Sequence, residues 1–399
     1  MSSGSTGVKP FNVLLLGAGP INFGSTEGPW NHSKRLEQKL GSRLNVVGLI
    51  DRDQARAERV LTIKRADDNV KTGYEKTKVF GSIDEAAAGL KGEDVPHLAV
   101  QGFQANTRGT TLPGQDSEMR LIEHFPNIAL LIEKPISDYP DFKEVEQVGK
   151  KLKGNVVSVG YMLRYLKAVQ AIKKILDDNK LSIMSTQATY LMAYDYAAQS
   201  VNCGYWHMDR EPGPIVTQAT HICDLNRYLT PPILFDSIKV NTVESTDPAG
   251  KLSLLKFDEQ KEIKLENRIS KITSASWRYE NGGVGSLVHG VCLHEGDYDV
   301  ELVIVADGWK IKLVDPYGTA PTLYVRQPGS KTEVKTVFTD DDCYLSEVEA
   351  IINVVDGKAD RSVILSPYED AIQTYELTWA IRRAGERSYA ARRGATQKQ

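Results

Sequence analysis

The chain of 399 residues is long enough for two domains that each bury a full hydrophobic core. Its 49 lysines and arginines against 52 acidic residues leave a formal charge of -3, without the basic stripe that nucleic-acid binding requires. Four widely spaced cysteines predict neither a zinc site nor a disulfide framework, and we expect no metal. Because no apolar run reaches about eighteen residues, the sequence predicts a cytoplasmic protein that does not contact membranes.

The first half of the chain alternates short apolar runs with helical patterns. Residues 11–16 and 44–50 are typical of buried parallel strands, because each is apolar throughout and ends at a turn or an acid. Strands separated by helices over this length predict a doubly wound parallel sheet. The further strands predicted here are 79–80, 97–100 and 128–132, and the helices are 83–90 and 115–125.

The second half has a different texture. Between about residues 182 and 337, runs of period two broken by glycine turns predict antiparallel strands and hairpins. A strand at 156–160 and a helix at 166–177 precede this region, and helices at 346–355 and 368–383 follow it. The predicted organisation is a flexible tail at 1–10, a dinucleotide-binding domain at 11–155, an α+β domain at 156–387 and a flexible tail at 388–399.

A glycine-rich turn follows the first strand, at the position of a dinucleotide fingerprint. Glycines permit a tight turn and a close approach of the backbone to a pyrophosphate. The third glycine of the usual pattern is replaced, and the alternative is an ordinary glycine turn. The predicted cofactor-binding residues of this turn are Gly17, Gly19, Pro20, Ile21 and Asn22.

Asp51 ends the second strand, where a carboxylate can accept hydrogen bonds from the hydroxyls of an adenosine ribose. Such a carboxylate repels a 2′-phosphate, so the sequence favours NAD as the cofactor. NADP is the alternative, because the adjacent Arg52 could rotate to bind that phosphate. Asp51 could also be a solvated residue that caps the following helix.

Two further strand ends carry candidate residues. Gln101 and Phe103 follow the fourth strand, and Phe103 could lie on the adenine or the nicotinamide or simply pack. Glu133-Lys134-Pro135 follows the next strand, at the edge of the sheet where ligands bind in open α/β folds. Lys134 is well placed to meet a ligand oxygen, although it could be a surface lysine before a turn proline.

His221 and Asp224 lie one helical turn apart near the middle of the chain. His221 could be a general acid or base, or a histidine satisfied within the core. Asp224 could orient the imidazole or stabilise the start of a helix. The aromatic segment at 194–209 could be a substrate wall or an interface loop. The predicted substrate-binding residues are Tyr161, Trp206, His207, Thr217, Gln218 and Asp224, and Arg164 is assigned to the cofactor, although Tyr161 and Arg164 could equally be structural.

The chain resembles the Gfo/Idh/MocA family of oxidoreductases over nearly its whole length. The residues that carry the resemblance are Gly17-Ala-Gly19, Glu133-Lys134-Pro135, residues 160–165 and residues 213–229. The resemblance implies a Rossmann domain followed by an α+β domain, whose large, mostly antiparallel sheet packs a partner subunit in a homodimer or homotetramer. It also implies that Lys134 contacts the nicotinamide ribose and the substrate, and that His221 transfers a proton.

The family's substrates imply a reaction, and two departures limit it. The predicted function is hydride transfer between NAD(P) and a carbinol or ketone of a sugar, sugar derivative or cyclic polyol. Many members have an acid where this chain has Thr217, and many have a histidine after the fourth strand, where this chain has Gln101 and Phe103. The alternative is therefore a sensor or transcriptional co-regulator that binds the cofactor without turnover.

Overall fold

The computed structural model describes residues 9–25, 28–296 and 298–396. By their contacts, these residues form two compact units. The first unit comprises the chain up to Met162 together with Asp342–Ile372, and the second comprises Leu163–Asp341 together with the residues from Gln373 onward. Residues 1–8 of the predicted N-terminal tail and 397–399 of the C-terminal one lie outside the described residues.

The secondary structure follows the predicted alternation. The strands are β1 (Phe11–Leu16), β2 (Leu44–Ile50), β3 (Lys78–Phe80), β4 (Leu98–Gln101), β5 (Ala129–Ile132), β6 (Val157–Val159), β7 (Ile183–Ala193), β8 (Ile233–Val243), β9 (Ile272–Tyr279), β10 (Val284–Leu293), β11 (Tyr298–Ala306), β12 (Trp309–Val314), β13 (Thr322–Arg326) and β14 (Val334–Val337). The helices are α1 (Pro20–Phe23), α2 (His32–Leu40), α3 (Gln54–Ala66), α4 (Ile83–Gly89), α5 (Ser117–His124), α6 (Phe142–Leu152), α7 (Lys167–Asp178), α8 (Gly213–Thr217), α9 (Thr220–Leu229), α10 (Glu259–Glu262), α11 (Cys343–Val355) and α12 (Tyr368–Thr396).

The first unit contains a parallel sheet of six strands in the order β3-β2-β1-β4-β5-β6. The order reverses between β1 and β4, and ligands bind at such a switch point in doubly wound folds. β1 and β5 are buried along their whole length, because helices cover both faces of a parallel sheet. This arrangement confirms the predicted Rossmann fold.

The first unit also includes a segment from late in the chain. Val348, Ile351 and Ile352 of α11 are buried in the same hydrophobic core as β1 and β2. The buried Glu347 accepts a hydrogen bond from Ser158 in β6, at 3.1 Å. The contact-based division therefore differs from the predicted domain bounds of 11–155 and 156–387, because β6 extends the first sheet and α11 completes its core.

The second unit contains a sheet of eight strands in the order β14-β13-β12-β11-β7-β10-β9-β8. β7 and β10 are parallel, and the other neighbouring pairs are antiparallel, which confirms the predicted mostly antiparallel sheet. α9 is fixed to one face of this sheet by Asn226, whose Oδ1 accepts hydrogen bonds from Thr186 and Tyr279. The helix that carries His221 is thereby placed over the centre of the sheet.

The last helix, α12, extends well beyond the predicted end at residue 383. Arg392 donates a hydrogen bond to the carbonyl of Thr242, at 2.9 Å, and its guanidinium lies 5.6 Å from the ring centre of Tyr389. Helix therefore continues to Thr396, through residues for which the sequence predicts a flexible tail.

In the described ranges no helix is both long and apolar enough to cross a membrane. No group of three or more His, Cys, Asp or Glu side chains there is arranged to hold a metal ion.

Candidate active site

The glycine turn after β1 has the geometry that a dinucleotide requires. Gly17 has a φ of 97°, and its N–H donates to the carbonyl of Ile50, at 2.8 Å. A Cβ at this position would lie 3.2 Å from the carbonyl oxygen of Gly102. At Gly19 a Cβ would meet nothing within 4 Å, so the backbone faces open space that a pyrophosphate could approach. The residues of this turn therefore fit the cofactor.

Asn22 occupies the place of the missing third glycine. Its Nδ2 donates to the carbonyls of Leu16 and Gly17, at 2.9 and 2.8 Å. A Cβ on Gly102 would meet the amide of Asn22 at 2.8 Å, so glycine is needed there as well. The structure gives Asn22 a role in closing the turn, and its contact with the cofactor stays a prediction. Pro20 and Ile21 lie in α1, directly after the turn.

Asp51 is buried at the end of β2 and belongs to the framework of the same turn. Its carboxylate accepts hydrogen bonds from the backbone N–H groups of Ala18 and Asp53 and from Arg56. Burial opposes ionisation, but these donors hold the pKa of Asp51 below its usual value. Arg52 is exposed. Arg56, which the sequence analysis does not identify, is the arginine that contacts Asp51.

Gln101 is the last residue of β4, and Phe103 follows the strand beside the glycine turn. The Phe103 ring lies 3.4 Å from the position that a Cβ on Gly17 would take, so the ring borders the turn. Gln101 is fully buried and accepts a hydrogen bond from Ser117, at 2.9 Å. Its Nε2 has no acceptor among the described residues.

Glu133 is held by a residue that the sequence analysis does not identify. Its Oε1 lies 2.7 Å from Nε2 of His32, the first residue of α2. Burial alone would raise the pKa of Glu133, but His32 and the charges of Lys134 and Arg108 hold it below its usual value. A Cβ on Gly160 would lie 3.0 Å from this carboxylate, so a glycine in the following strand end gives it room.

Arg108 fixes the turn that contains Lys134. Its fully buried guanidinium donates to the carbonyl of Pro135, at 3.1 and 3.3 Å, and to the carbonyl of Phe103. Burial lowers the pKa of Lys134 and Arg108 lowers it further, whereas Glu133 opposes the shift. We call His32, Arg108, Glu133 and Lys134 the charged cluster. Lys134 itself follows the carboxyl end of β5, and its contact with a ligand stays a prediction.

In the second unit, His221 is the second residue of α9 and is buried. Its ring packs edge to face against Tyr317, with 5.7 Å between the ring centres. Tyr317 packs in the same way on Tyr190, which stacks on His289 at 5.5 Å. Burial lowers the pKa of His289 to about 3, so this imidazole is neutral. We call His221, Tyr317, Tyr190 and His289 the aromatic cluster.

Asp224 and Arg164 form a buried ion pair, which differs from both roles predicted for Asp224. The carboxylate accepts from Nε and Nη2 of Arg164, at 2.7 and 2.6 Å, and from Thr374, at 2.8 Å. α9 already begins at Thr220, so Asp224 lies in the second turn rather than at the helix start. Arg164, assigned to the cofactor from the sequence, is thus engaged by an acid 60 residues away.

Trp206 and His207 contact the backbone of the loop that precedes them. Trp206 is fully buried and donates to the carbonyl of Ala197, at 2.7 Å, and Nε2 of His207 lies 2.6 Å from the carbonyl oxygen of Val201. These contacts make the two side chains part of a folded loop, and their contact with a substrate stays a prediction. Tyr161, in the first unit, is also buried.

Thr217 and Gln218 join α8 to α9. The Thr217 hydroxyl donates to the carbonyl of Gly213, at 3.1 Å, as a threonine often does within a helix. The Gln218 Oε1 accepts a hydrogen bond from the hydroxyl of Tyr205, at 3.2 Å. The position that carries an acid in many members of the resembled family is therefore neutral in this chain.

Two family models divide the chain between them. Residues 11–161 match the model described as "Oxidoreductase family, NAD-binding Rossmann fold", and residues 164–309 match "Putative oxidoreductase C terminal domain". The chain belongs to the Gfo/Idh/MocA family. It is 42% identical over 378 residues to UNK4.17 of Schizosaccharomyces pombe, which covers 94% of this chain and 91% of the relative. It is 41% identical to C12C2.04 of the same yeast, over 96% and 98%. Both relatives are described as uncharacterized.

Solved structures of the Gfo/Idh/MocA fold extend over both units. UDP-N-acetylglucosamine 3-dehydrogenase GnnA from Acidithiobacillus ferrooxidans matches with a TM-score of 0.65 and 13% identity, covering 96% of this chain and 99% of its own. KijD10, a 3-ketoreductase from Actinomadura kijaniata solved with NADP, matches with a TM-score of 0.67 and 13% identity. The match covers 94% of this chain and 98% of KijD10. At this identity the likeness shows the fold alone. The family membership makes the chain an NAD(P)-dependent oxidoreductase.

Proposed function

We propose that the protein transfers hydride between a nicotinamide cofactor and a carbinol or ketone of a sugar, sugar derivative or cyclic polyol. The observation that supports this proposal is the charged cluster, in which Arg108 fixes the turn that follows β5 and burial lowers the pKa of Lys134. The names of GnnA and KijD10 support a sugar-derived substrate. The nicotinamide, when bound, accepts or supplies the hydride.

Lys134 is proposed to donate a hydrogen bond to the substrate oxygen as negative charge develops there. Arg108 fixes the turn on its backbone side, and Glu133 keeps a negative charge beside the amine. A donor that is already oriented needs no reorganisation during the reaction, which is why such contacts stabilise transition states. The lowered pKa of Lys134 also makes its ammonium group a better proton donor.

His221 is proposed to exchange a proton with the substrate hydroxyl. Tyr317 packs against the ring and limits its rotation. No charge comes from Thr217, whose hydroxyl is bonded to Gly213, or from the Asp224 carboxylate, which is paired with Arg164. Oxidation needs the imidazole neutral, because only a deprotonated ring nitrogen can accept the proton.

The neutral Thr217 also favours a second candidate function, a sensor that binds the cofactor without turnover. Incubation of the protein with NAD, NADP and a panel of sugars and polyols, followed by nicotinamide absorbance, separates the two. We expect turnover with at least one compound. Tight binding of a dinucleotide without turnover of any compound, in either direction, would support the sensor instead.

We also propose that a second copy of the chain packs on the outer face of the eight-stranded sheet, to give a homodimer or homotetramer. This face presents Val284 and Val288 of β10, which are 47% and 37% exposed. Val303 and Val305 of β11 lie on the same face, and the polar Ser185 and Gln187 of β7 lie between the two pairs of valines. Light scattering coupled to size-exclusion chromatography should give a mass of two or four chains, and a monomer at micromolar concentration would refute the proposal.

A further inference from the structure

The carboxylate of Asp51 is saturated by donors from its own chain. Oδ2 accepts from the N–H of Ala18, at 2.7 Å, and from Nη2 of Arg56, at 2.8 Å. Oδ1 accepts from the N–H of Asp53, at 2.8 Å, and from the same Nη2, at 2.9 Å. A carboxylate offers about four lone-pair sites, so a ribose hydroxyl has none left to bind. The acceptor sites through which Asp51 would select NAD are therefore already occupied.

Arg56 stands at the place where the adenosine ribose of a dinucleotide lies in this fold. It belongs to the first turn of α3, directly after β2. Its side chain is 46% exposed, although Asp51 is almost completely buried. Within the described ranges, only Nη2 of its guanidinium contacts an acceptor, so Nε and Nη1 have no acceptor among those residues. A guanidinium with free donors is well suited to a phosphate.

The ion pair also changes the electrostatics at this site. The pKa of Asp51 lies below its usual value despite burial, so the side chain is negatively charged at neutral pH. Arg56 balances that charge at a distance of 2.8 Å and thereby removes most of the repulsion that a lone carboxylate would exert on a 2′-phosphate. The sequence alone favours NAD because it does not show that Arg56 neutralises Asp51.

We propose that Arg56 binds the 2′-phosphate of NADP, and that the protein binds NADPH at least as tightly as NADH. The proposal rests on the proposed function only in requiring a nicotinamide dinucleotide at this sheet. The proposal assigns the 2′-phosphate to Arg56 and not to Arg52, the exposed arginine adjacent to Asp51 that the sequence suggested. It assigns to Asp51 the role of joining the glycine turn to α3.

The test is a fluorescence titration of the full-length protein with NADPH and with NADH. In Arg56→Gln we expect NADPH binding to weaken by about ten- to a hundredfold, the usual effect of losing a charged hydrogen bond. NADH binding should not weaken, because NADH has no 2′-phosphate and the lone pairs that Arg56 leaves on Asp51 become open to the ribose hydroxyls. Arg59→Gln is the matched control, since Arg59 is 67% exposed and its nearest acid is Asp53, at 3.8 Å. It should leave both affinities unchanged.

The wild-type protein gives the first decision. If it binds NADH at least tenfold more tightly than NADPH, or if Arg56→Gln leaves NADPH binding unchanged, the proposal is overturned. Should Arg56→Gln fail to fold, Arg56→Lys keeps the charge and should bind NADPH within about tenfold of wild type while its NADH affinity is unaltered. Bound NADPH without turnover of any substrate would refute the proposed function and leave this inference intact. Turnover with NADH but not with NADPH would support the proposed function and refute the assignment of the 2′-phosphate to Arg56.

Discussion

The charged cluster of the first unit and the aromatic cluster of the second unit hold their central residues in opposite ways. Lys134 is surrounded by full charges, from Glu133 on one side and Arg108 on the other. His221 lies against the neutral ring of Tyr317. Fixed charges beside an amine can stabilise charge that develops on a bound oxygen, whereas a neutral ring packs against an imidazole without adding a charge of its own. The two clusters therefore hold a lysine and a histidine by different means, by charge in the first unit and by ring packing in the second.

The buried ions of the second unit act structurally. Asp224 accepts hydrogen bonds from Arg164 and from Thr374, so the two opposite charges neutralise each other within the fold. A charged pair that is fully satisfied stabilises a single arrangement, and it contrasts with the lysine of the first unit, whose charge is poised beside a ligand-binding edge. Four substitutions can break or sharpen this contrast.

The largest expected effect is on stability. Arg164→Met removes one ion of the buried pair and leaves the Asp224 carboxylate without its main partner, which should cost about 3–5 kcal/mol of unfolding free energy. Denaturant unfolding followed by circular dichroism measures it. The control is Lys173→Met, which breaks an exposed pair with Asp177 and should cost less than about 0.5 kcal/mol. Equal stability of the two variants would show that the pair has no structural role.

His221→Asn tests the aromatic cluster. The substitution removes the proposed proton acceptor, so the maximum rate of oxidation should fall by about a hundredfold or more. The decline of the rate on the acid side of neutrality should vanish, because no imidazole remains to be protonated. Steady-state rates across pH measure both effects, with dinucleotide affinity as the control. Survival of the acid-side decline in the variant would assign the proton to another residue.

Lys134→Met tests the charged cluster. The stem of the side chain keeps its volume while the donor is lost, so turnover should fall by about a hundredfold with the fold intact. Lys150→Met, on the exposed surface of α6, is the matched control and should turn over at the wild-type rate. Near-normal turnover in a folded Lys134→Met would make this lysine a bystander.

Glu118→Gln tests how far the buried charges of the first unit depend on pH. Burial raises the pKa of Glu118 from 4.5 to about 7. Below pH 4.5 the group is neutral in the folded and unfolded states, and its stabilising contribution is lost as the pH rises through 7. Between pH 5 and pH 8 the unfolding free energy of the wild type should therefore fall by on the order of 2 kcal/mol more than that of the variant, as denaturant unfolding at each pH measures. The exposed Glu123→Gln, on the same helix, should behave as wild type.

The sequence predicts the first unit better than the second because parallel sheets constrain their strand ends. Each apolar run of the first half became a strand, and all the carboxyl ends lie at one edge. A residue at the end of any run, such as Asp51 or Lys134, is therefore assigned to the ligand-binding edge by topology alone. What the sequence could not show was the partner of each residue, since His32 and Arg108 meet Glu133 and Pro135 only in the folded sheet.

In the second unit the contacts come from long separations that no local pattern reveals. Tyr317 lies almost a hundred residues after His221, in the turn between β12 and β13. Asp224 has the spacing to share a helix face with His221, yet Arg164 provides a stronger partner than an imidazole would. Trp206 and His207 have the composition of a binding wall, and no local pattern shows that they bind the carbonyls of Ala197 and Val201 in their own loop. Their contact with a substrate stays a prediction.

The return of α11 to the first unit has a consequence for synthesis on the ribosome. The core around β1 and β2 includes Val348, Ile351 and Ile352, which are synthesised only after all the strands of the second unit. The dinucleotide-binding unit therefore cannot close its core while the second unit is being translated, and its apolar strands stay exposed throughout that time. A ribosome-bound chain ending near residue 300 should accordingly be cut by protease within its first 160 residues, unlike the finished protein.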